Sequence, residues 1–184
     1  MIFIVMGPSG SGKTLVGEYL KKKGIKELVS HTTRKPRKGE ADGVAYHFVD
    51  EADFLATEKV EESIYAGHHY GVSKAEVERK SGSGDVFAVT DINGARAFRR
   101  IYGNQVRVLY IHTSMRKMRE RMRKRGDTKE GIRKRMRNFR NTDESVNRLY
   151  ADFILYNNTS KKSLFRSVDH AVKCLKNTQC FPVR

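Results

Sequence analysis

Residues 2–14 read IFIVMGPSGSGKT, and this stretch decides the fold. Ile2–Val5 is a continuous apolar, partly β-branched run, the signature of a strand buried on both faces of a parallel sheet. Gly7–Thr14 then fits G-x-x-x-x-G-K-[ST] in full. Gly7, Gly10 and Gly12 leave the backbone free to wrap a phosphate chain and aim its N–H groups inward, with Pro8, Ser9 and Ser11 between them. From Lys13 a helix is expected. Leu15, Val16, Tyr19 and Leu20 line one face of it, Gly24 is its stop signal, and its N-terminal dipole faces the phosphates. Lys13 is expected to reach the β- and γ-phosphates and the Thr14 hydroxyl to ligate Mg²⁺. Strand, glycine-rich turn and helix open a βαβ unit that binds a nucleoside triphosphate with its metal ion.

Outward from this unit the α/β pattern continues. Val86–Thr90, Val106–Ile111 and Phe153–Tyr156 read as further buried strands separated by helical patterns. Leu164, Phe165, Val168, Ala171, Val172 and Leu175 form the apolar face of a C-terminal helix that Ser160 can cap. Met115, Met118 and Met122 form a stripe on a helix otherwise rich in arginine, read as core contact. The expected class is α/β, a three-layer P-loop core with a mostly parallel sheet of about five strands. Two segments interrupt it. Residues 31–71 are rich in Thr, Gly, His and Tyr and poor in helical period, and the turn SGSG at 81–84 leads back to the sheet. The other is the basic stretch 114–140.

Composition narrows the partners. The 184 residues suit one domain with a real core. Net charge is +16, and Arg116–Arg140 alone holds 13 Lys/Arg against three Asp/Glu, or +10. Such an excess favours anions: nucleotides, nucleic acid or a membrane surface. Phe139 is the single aromatic in that segment, so base stacking has little support there, and weak, salt-sensitive, non-specific nucleic-acid binding is the expectation. Cys174 and Cys180 have no paired ligand spacing, which argues against a disulfide framework or a zinc site and fits a reducing cytosol. The apolar N-terminus is too short for a signal segment, and no run approaches a membrane span. The sequence leaves monomer and homodimer both open.

Hydrolysis driving a switch needs a positioned water, whereas a kinase needs an acceptor site, and Ser30–Phe48, SHTTRKPRKGEADGVAYHF, has the make-up of a shaped acceptor loop. Arg34, Lys35, Arg37 and Lys38 open it, and Pro36 restrains Lys35 toward an extended conformation. Two guanidinium forks three residues apart suit one doubly charged phosphate monoester, and Tyr46 and Tyr70 can add phenolic donors. Glu61 and Ser30 offer a carboxylate and a hydroxyl, the pair that guanine requires: acceptors for N1–H and the 2-amino group, a donor for O6. The histidines His31, His68 and His69 lack a metal-like pattern.

GPSGSGKT, then SHTTRKPRKGEADGVAYHF, then AGHHYG at 66–71, in this order and spacing, resemble the guanylate kinases, P-loop enzymes that phosphorylate GMP from ATP. The resemblance runs up to DFILYNN at 152–158. It implies a core (1–30, 72–113, 141–184), a GMP-binding insertion (31–71) and a basic lid (114–140). It assigns Ser30 and Glu61 to guanine, with Glu62 as rival, and Arg34, Arg37, Tyr46 and Tyr70 to the GMP phosphate. Glu40 and Gly43 would shape the turn. Lys13, Arg37, Arg121, Arg125 and Arg135 would stabilise the moving phosphoryl group, and Asn157 would lie near the donor nucleoside. The chain departs from the pattern where Val89 replaces the first of two aspartates, leaving Asp91, and where Val72 replaces a hydroxyl. The segment between Phe48 and Glu61 and the lid loop are also short. The implied reaction is Mg²⁺-dependent transfer from ATP to GMP, with dGMP as a further acceptor. A relative with another nucleotide or ribose-phosphate acceptor, and a non-catalytic binding module of the same fold, are the alternatives.

Overall fold

The computed structural model describes residues 1–37, 39–65, 67–141 and 146–177, so Lys38, Ala66 and Cys180 lie outside the described residues. In chain order the strands are β1 (Ile2–Met6), β2 (Lys26–Glu27), β3 (His31–Thr32), β4 (His47–Phe48), β5 (Lys59–Tyr65), β6 (His68–Ser73), β7 (Val86–Val89), β8 (Val106–His112) and β9 (Phe153–Tyr156). The helices are α1 (Lys13–Lys22), α2 (Glu51–Ala56), α3 (Lys74–Ser81), α4 (Ile92–Tyr102), α5 (Met115–Lys124), α6 (Lys129–Asn141) and α7 (Lys161–Lys176).

Five parallel strands form the main sheet in the order β2-β7-β1-β8-β9. All five residues of β1 are buried, because helices cover both faces of the sheet. Alternate residues divide between two cores. Ile2, Ile4 and Met6 pack with Val108, Tyr110, Ala95 and Phe98 on the α4 side. Phe3 and Val5 pack with Val16, Leu20, Leu109, Leu164 and Val168 on the α1 and α7 side. This is the three-layer α/β architecture expected from the alternating runs. Gly24 takes φ +80° just past α1, and Ser160 caps α7 by accepting the Ser163 N–H. Hydropathy does not mark β2 or α2: each is too short to show a period.

The chain runs from β1 to the β2 edge, returns to β7 beside β1, then crosses to β8 on the other side. The crevice at the carboxyl ends of β1, β7 and β8 is where a sheet of this kind holds its ligands.

A second, mixed sheet has the order β4-β3-β6-β5. The threonines of HTTR knit it: Thr32 Oγ1 donates to the His69 carbonyl (2.8 Å), and the His69 N–H donates to Thr33 Oγ1 (3.0 Å). Its base is not separate from the main core, since Val60 and Val72 pack with Leu28, Val77 and Ala95. Helices α5 and α6 have a core of their own, Met118, Met122, Ile132 and Met136, with Met115 against it. The methionine stripe therefore packs as expected. Among the described residues no helix is long and apolar enough to cross a membrane.

Candidate active site

The loop after β1 follows from its glycines. Gly7, Gly10 and Gly12 take φ of +149°, +79° and +107°. A Cβ at Gly10 would lie 2.8 Å from the Met118 carbonyl oxygen, and one at Gly12 would lie 2.4 Å from Asn157 Nδ2. Within the loop the Ser11 N–H donates to the Pro8 carbonyl (3.1 Å), and the other carbonyls need donors from elsewhere. Ser11 O receives three: Thr113 Oγ1 (3.0 Å), Asn157 Nδ2 (2.7 Å) and Arg121 Nη1 (3.0 Å). Arg121 Nη2 also donates to Asn157 O and Oδ1, both at 3.0 Å. Arg121 is thus spent on the loop, and burial pulls its pKa below the usual guanidinium value. Lys13 Nζ donates to the carbonyls of Gly7 (2.6 Å) and Pro8 (3.3 Å). Thr14 is exposed on the first turn of α1.

The acceptor loop is held by one carboxylate. Glu40 accepts the Arg37 backbone N–H (2.8 Å) and the Arg34 Nη2 through both oxygens (2.9 Å each). These bonds, the first above all, hold its carboxyl below the usual carboxylate range. Gly43, at φ +70°, donates its N–H to the Tyr46 carbonyl (2.8 Å), which turns the chain back. The Arg34 guanidinium lies 5.4 Å from the Tyr46 ring centroid, and Tyr46 meets Tyr70 edge-on at 5.7 Å. Burial pushes the Tyr46 hydroxyl above its usual pKa, so it stays a donor. The backbone N–H of Val29, beside Ser30, donates to buried Glu76 (3.0 Å), which also accepts from Lys80 and Arg79.

Both loops open on one cavity of about 650 Å³. Gly7, Ser9 and Lys13 line it from the phosphate loop, and Ser30, Arg34, Arg37, Tyr46, Glu61 and Tyr70 from the second sheet and its loop. Asp91, Arg125 and Arg135 complete the wall. Arg121, Thr14 and Asn157 are not among its lining residues. Arg121 and Arg125, four apart in α5 and its cap, do not share a target. Arg125 pairs with Asp127 (2.6 and 2.8 Å), while Arg121 turns under the loop. Arg135 donates to Ser9 Oγ (3.1 Å), so α6 reaches the phosphate loop directly. Asp91 caps α4, its Oδ1 accepting from the N–H groups of Asn93 and Gly94.

Alternation along β5 separates the two carboxylates. Glu61 faces the cavity, and Thr90 Oγ1 donates to its Oε2 (3.2 Å). Burial is the first cause that pushes the Glu61 carboxyl up to about 7. Glu62 stays 56% exposed, 3.8 Å from Lys59. Val72 is 1% exposed in the core, so its side chain is turned away from the cavity; Val89, 36% exposed, lines it and gives it an apolar patch. Ser63 and Thr90 are cavity hydroxyls that motif spacing misses. The two-residue period from Glu61 signals Ser63, whereas nothing local signals Thr90.

The family model for guanylate kinase matches residues 1–174. The chain is 37% identical over 143 residues to guanylate kinase of Methylobacillus flagellatus, covering 73% of this chain and 71% of that protein. It is 35% identical over 170 residues to guanylate kinase of Neisseria gonorrhoeae, covering 88% and 82%. The crystal structure of guanylate kinase from Anaplasma phagocytophilum superposes with a TM-score of 0.71 at 25% identity, over 98% of this chain and 88% of that one. A phosphate loop and an arginine-, tyrosine- and carboxylate-lined acceptor wall on one cavity agree with these likenesses, and the chain belongs to the guanylate kinase family of nucleoside monophosphate kinases.

Proposed function

We propose that the protein transfers the γ-phosphoryl group of ATP to GMP, and to dGMP, giving ADP and the nucleoside diphosphate. The observation that carries this reading is the shared cavity, lined by Lys13 from the phosphate loop, by Arg34, Arg37, Tyr46 and Tyr70, and by the half-buried Glu61. The acceptor oxygen is already an anion, so no strong base is required, and catalysis is alignment plus charge neutralisation. Arg34, Arg37 and the two tyrosines hold the acceptor phosphate. Ser30 and Glu61 read guanine, and Asp91 borders the acceptor. Gly7 to Thr14 grip the donor phosphates, with Lys13 at the β- and γ-positions. An oxygen of the acceptor phosphate forms the new bond to the γ-phosphorus as the bond to the β-phosphate bridging oxygen breaks, and ADP leaves with that electron pair.

Arg125 and Arg135, with Asp127 between them, belong to a lid (114–140) that closes on the 31–71 insertion over the core and excludes water. Arg121 and Asn157 act here by holding the donor loop in shape. The site fits Mg²⁺ of the kind that rides on phosphates. Among the described residues no cluster of carboxylates, histidines or cysteines could cage an ion alone, and the Thr14 hydroxyl stands exposed on the first turn of α1, directly after the glycine loop. Thr14 would hold Mg²⁺ there, and the ion would supply charge neutralisation to the donor phosphates.

The test is ADP release from ATP with GMP, dGMP, AMP, CMP, UMP and dTMP in turn. GMP and dGMP are expected to support turnover, and a clear preference for another acceptor overturns the reading. A second, weaker property follows from the outer groove of α5 and α6, where Arg119, Arg123, Lys129, Arg133, Arg137 and Arg140 meet with no acidic side chain among the described lining residues. It supports weak nucleic-acid association that disappears by ~0.2 M salt.

A further inference from the structure

Glu61 has to do something that its surroundings oppose. Guanine presents two donors, N1–H and the 2-amino group, and an ionised carboxylate meets them with two acceptor oxygens. A protonated one offers a donor and an acceptor instead, which no longer matches guanine and does match an adenine-like edge. Burial works against ionisation here, and so do Asp91 at the head of α4 and Glu62 next along β5. Two donors work for it: the backbone N–H of Val72 on β6 and the hydroxyl of Thr90.

Thr90 reaches Glu61 because of a residue one turn further on. A Cβ built on Gly94 would lie 2.0 Å from Thr90 Oγ1 and 2.8 Å from its Cγ2. Gly94 sits in the first turn of α4, buried, with ordinary helical φ, where glycine is among the least favoured residues. Backbone conformation therefore does not call for glycine there, but the Thr90 side chain does. The Asp91 cap on the Gly94 N–H fixes that turn against β7.

We propose that Thr90 and Gly94 form a latch that positions Glu61: the space left at Gly94 admits the Thr90 hydroxyl, which holds the carboxylate with its acceptor oxygens toward the guanine edge. Thr90 is a positioning residue, and its role rests on the reading of Glu61 as the base-reading carboxylate.

The experiment is steady-state kinetics with GMP and AMP from pH 6 to 9 on Thr90→Val, Thr90→Ser, Gly94→Ala and Glu61→Gln, with thermal melts on each. In Thr90→Val the KM for GMP is expected to rise about tenfold or more at pH 7, the scale of one hydrogen bond to a charged group. Its kcat at saturation should hold, and the KM gap should narrow toward pH 9, where Glu61 ionises without help. Thr90→Ser should restore the wild-type profile, and Gly94→Ala should copy Thr90→Val, with no further loss in the double variant. If Thr90→Val leaves the GMP KM within twofold while Glu61→Gln raises it, the latch is wrong and the reading of Glu61 stands. If Glu61→Gln itself changes nothing, the reading fails and the latch with it. Equal losses of kcat and melting temperature in Thr90→Val and Thr90→Ser would mean a purely structural role and would also overturn the proposal.

Discussion

The phosphate loop and the acceptor loop meet at one cavity but are built in opposite ways. The tip of the acceptor loop, Arg34–Phe48, is wired from within: Glu40 holds Arg34 and Arg37, and Asp42 accepts the Phe48 N–H (2.8 Å), each over a span of at most six residues, while the threonines at its base tie it to β6. The phosphate loop is wired from far away. The three donors on Ser11 O come from the end of β8, from α5 and from the end of β9, more than 100 residues downstream. The loop meets part of its own need, through Lys13 on the Gly7 and Pro8 carbonyls and the Ser11 N–H on Pro8 O, but N–H groups kept open for a ligand cannot serve every carbonyl, and distant elements take Ser11 O. The acceptor loop presents side chains to the cavity, so the bonds of its tip can close locally.

Five measurements would break or sharpen that contrast. The largest effect is expected from Lys13→Ala, which should lower kcat about 10²–10³-fold on the proposed role of its ammonium at the reacting phosphates. Arg37→Ala should follow at about 10²-fold in kcat/KM for GMP. Glu40→Gln should raise the KM for GMP about tenfold and leave the KM for ATP alone, because its bonds stay inside the acceptor loop. An equal effect on both substrates would show that the two loops are not wired separately.

Arg121→Met tests the other side. It removes donors from Gly10, Ser11 and Asn157 and should cost about 2 kcal/mol, or about 4–8 °C in Tm for a chain of this size, together with weaker ATP binding. Unchanged stability with a lost kcat would return Arg121 to direct work on the phosphates. The smallest effect is electrostatic. Glu61 is raised to about 7, above its usual value of 4.5, so its contribution to folding is full below about pH 4.5 and is lost as pH rises toward 7. The KM for GMP should run the other way, falling as pH rises through about 7 and Glu61 ionises. Glu61→Gln should flatten both slopes, and a GMP profile that keeps its midpoint in that variant would assign it to another group.

The same contrast explains what could be read in advance. Ile2–Thr14 is legible because phosphate binding demands glycines and a lysine at fixed offsets, and the strands at 86, 106 and 153 because burial on both faces demands unbroken apolar runs. Arg34, Arg37, Tyr46, Glu61 and Tyr70 are legible as a long local pattern, and they do line one cavity.

Tertiary structure decided what long-range packing controls. Arginines look alike in a basic helix, and only the approach of α5 to the phosphate loop separates Arg121, bonded to Gly10, Ser11 and Asn157, from Arg125, paired with Asp127. Two neighbouring glutamates look alike until strand pairing turns Glu61 inward and Glu62 outward. Val72 and Thr90 exchange their apparent importance for the same reason: the sheet buries the first in the core and brings the second to within a hydrogen bond of Glu61. Local chemistry is written in residue order and spacing, whereas the partners of a side chain depend on contacts between segments that only folding brings together.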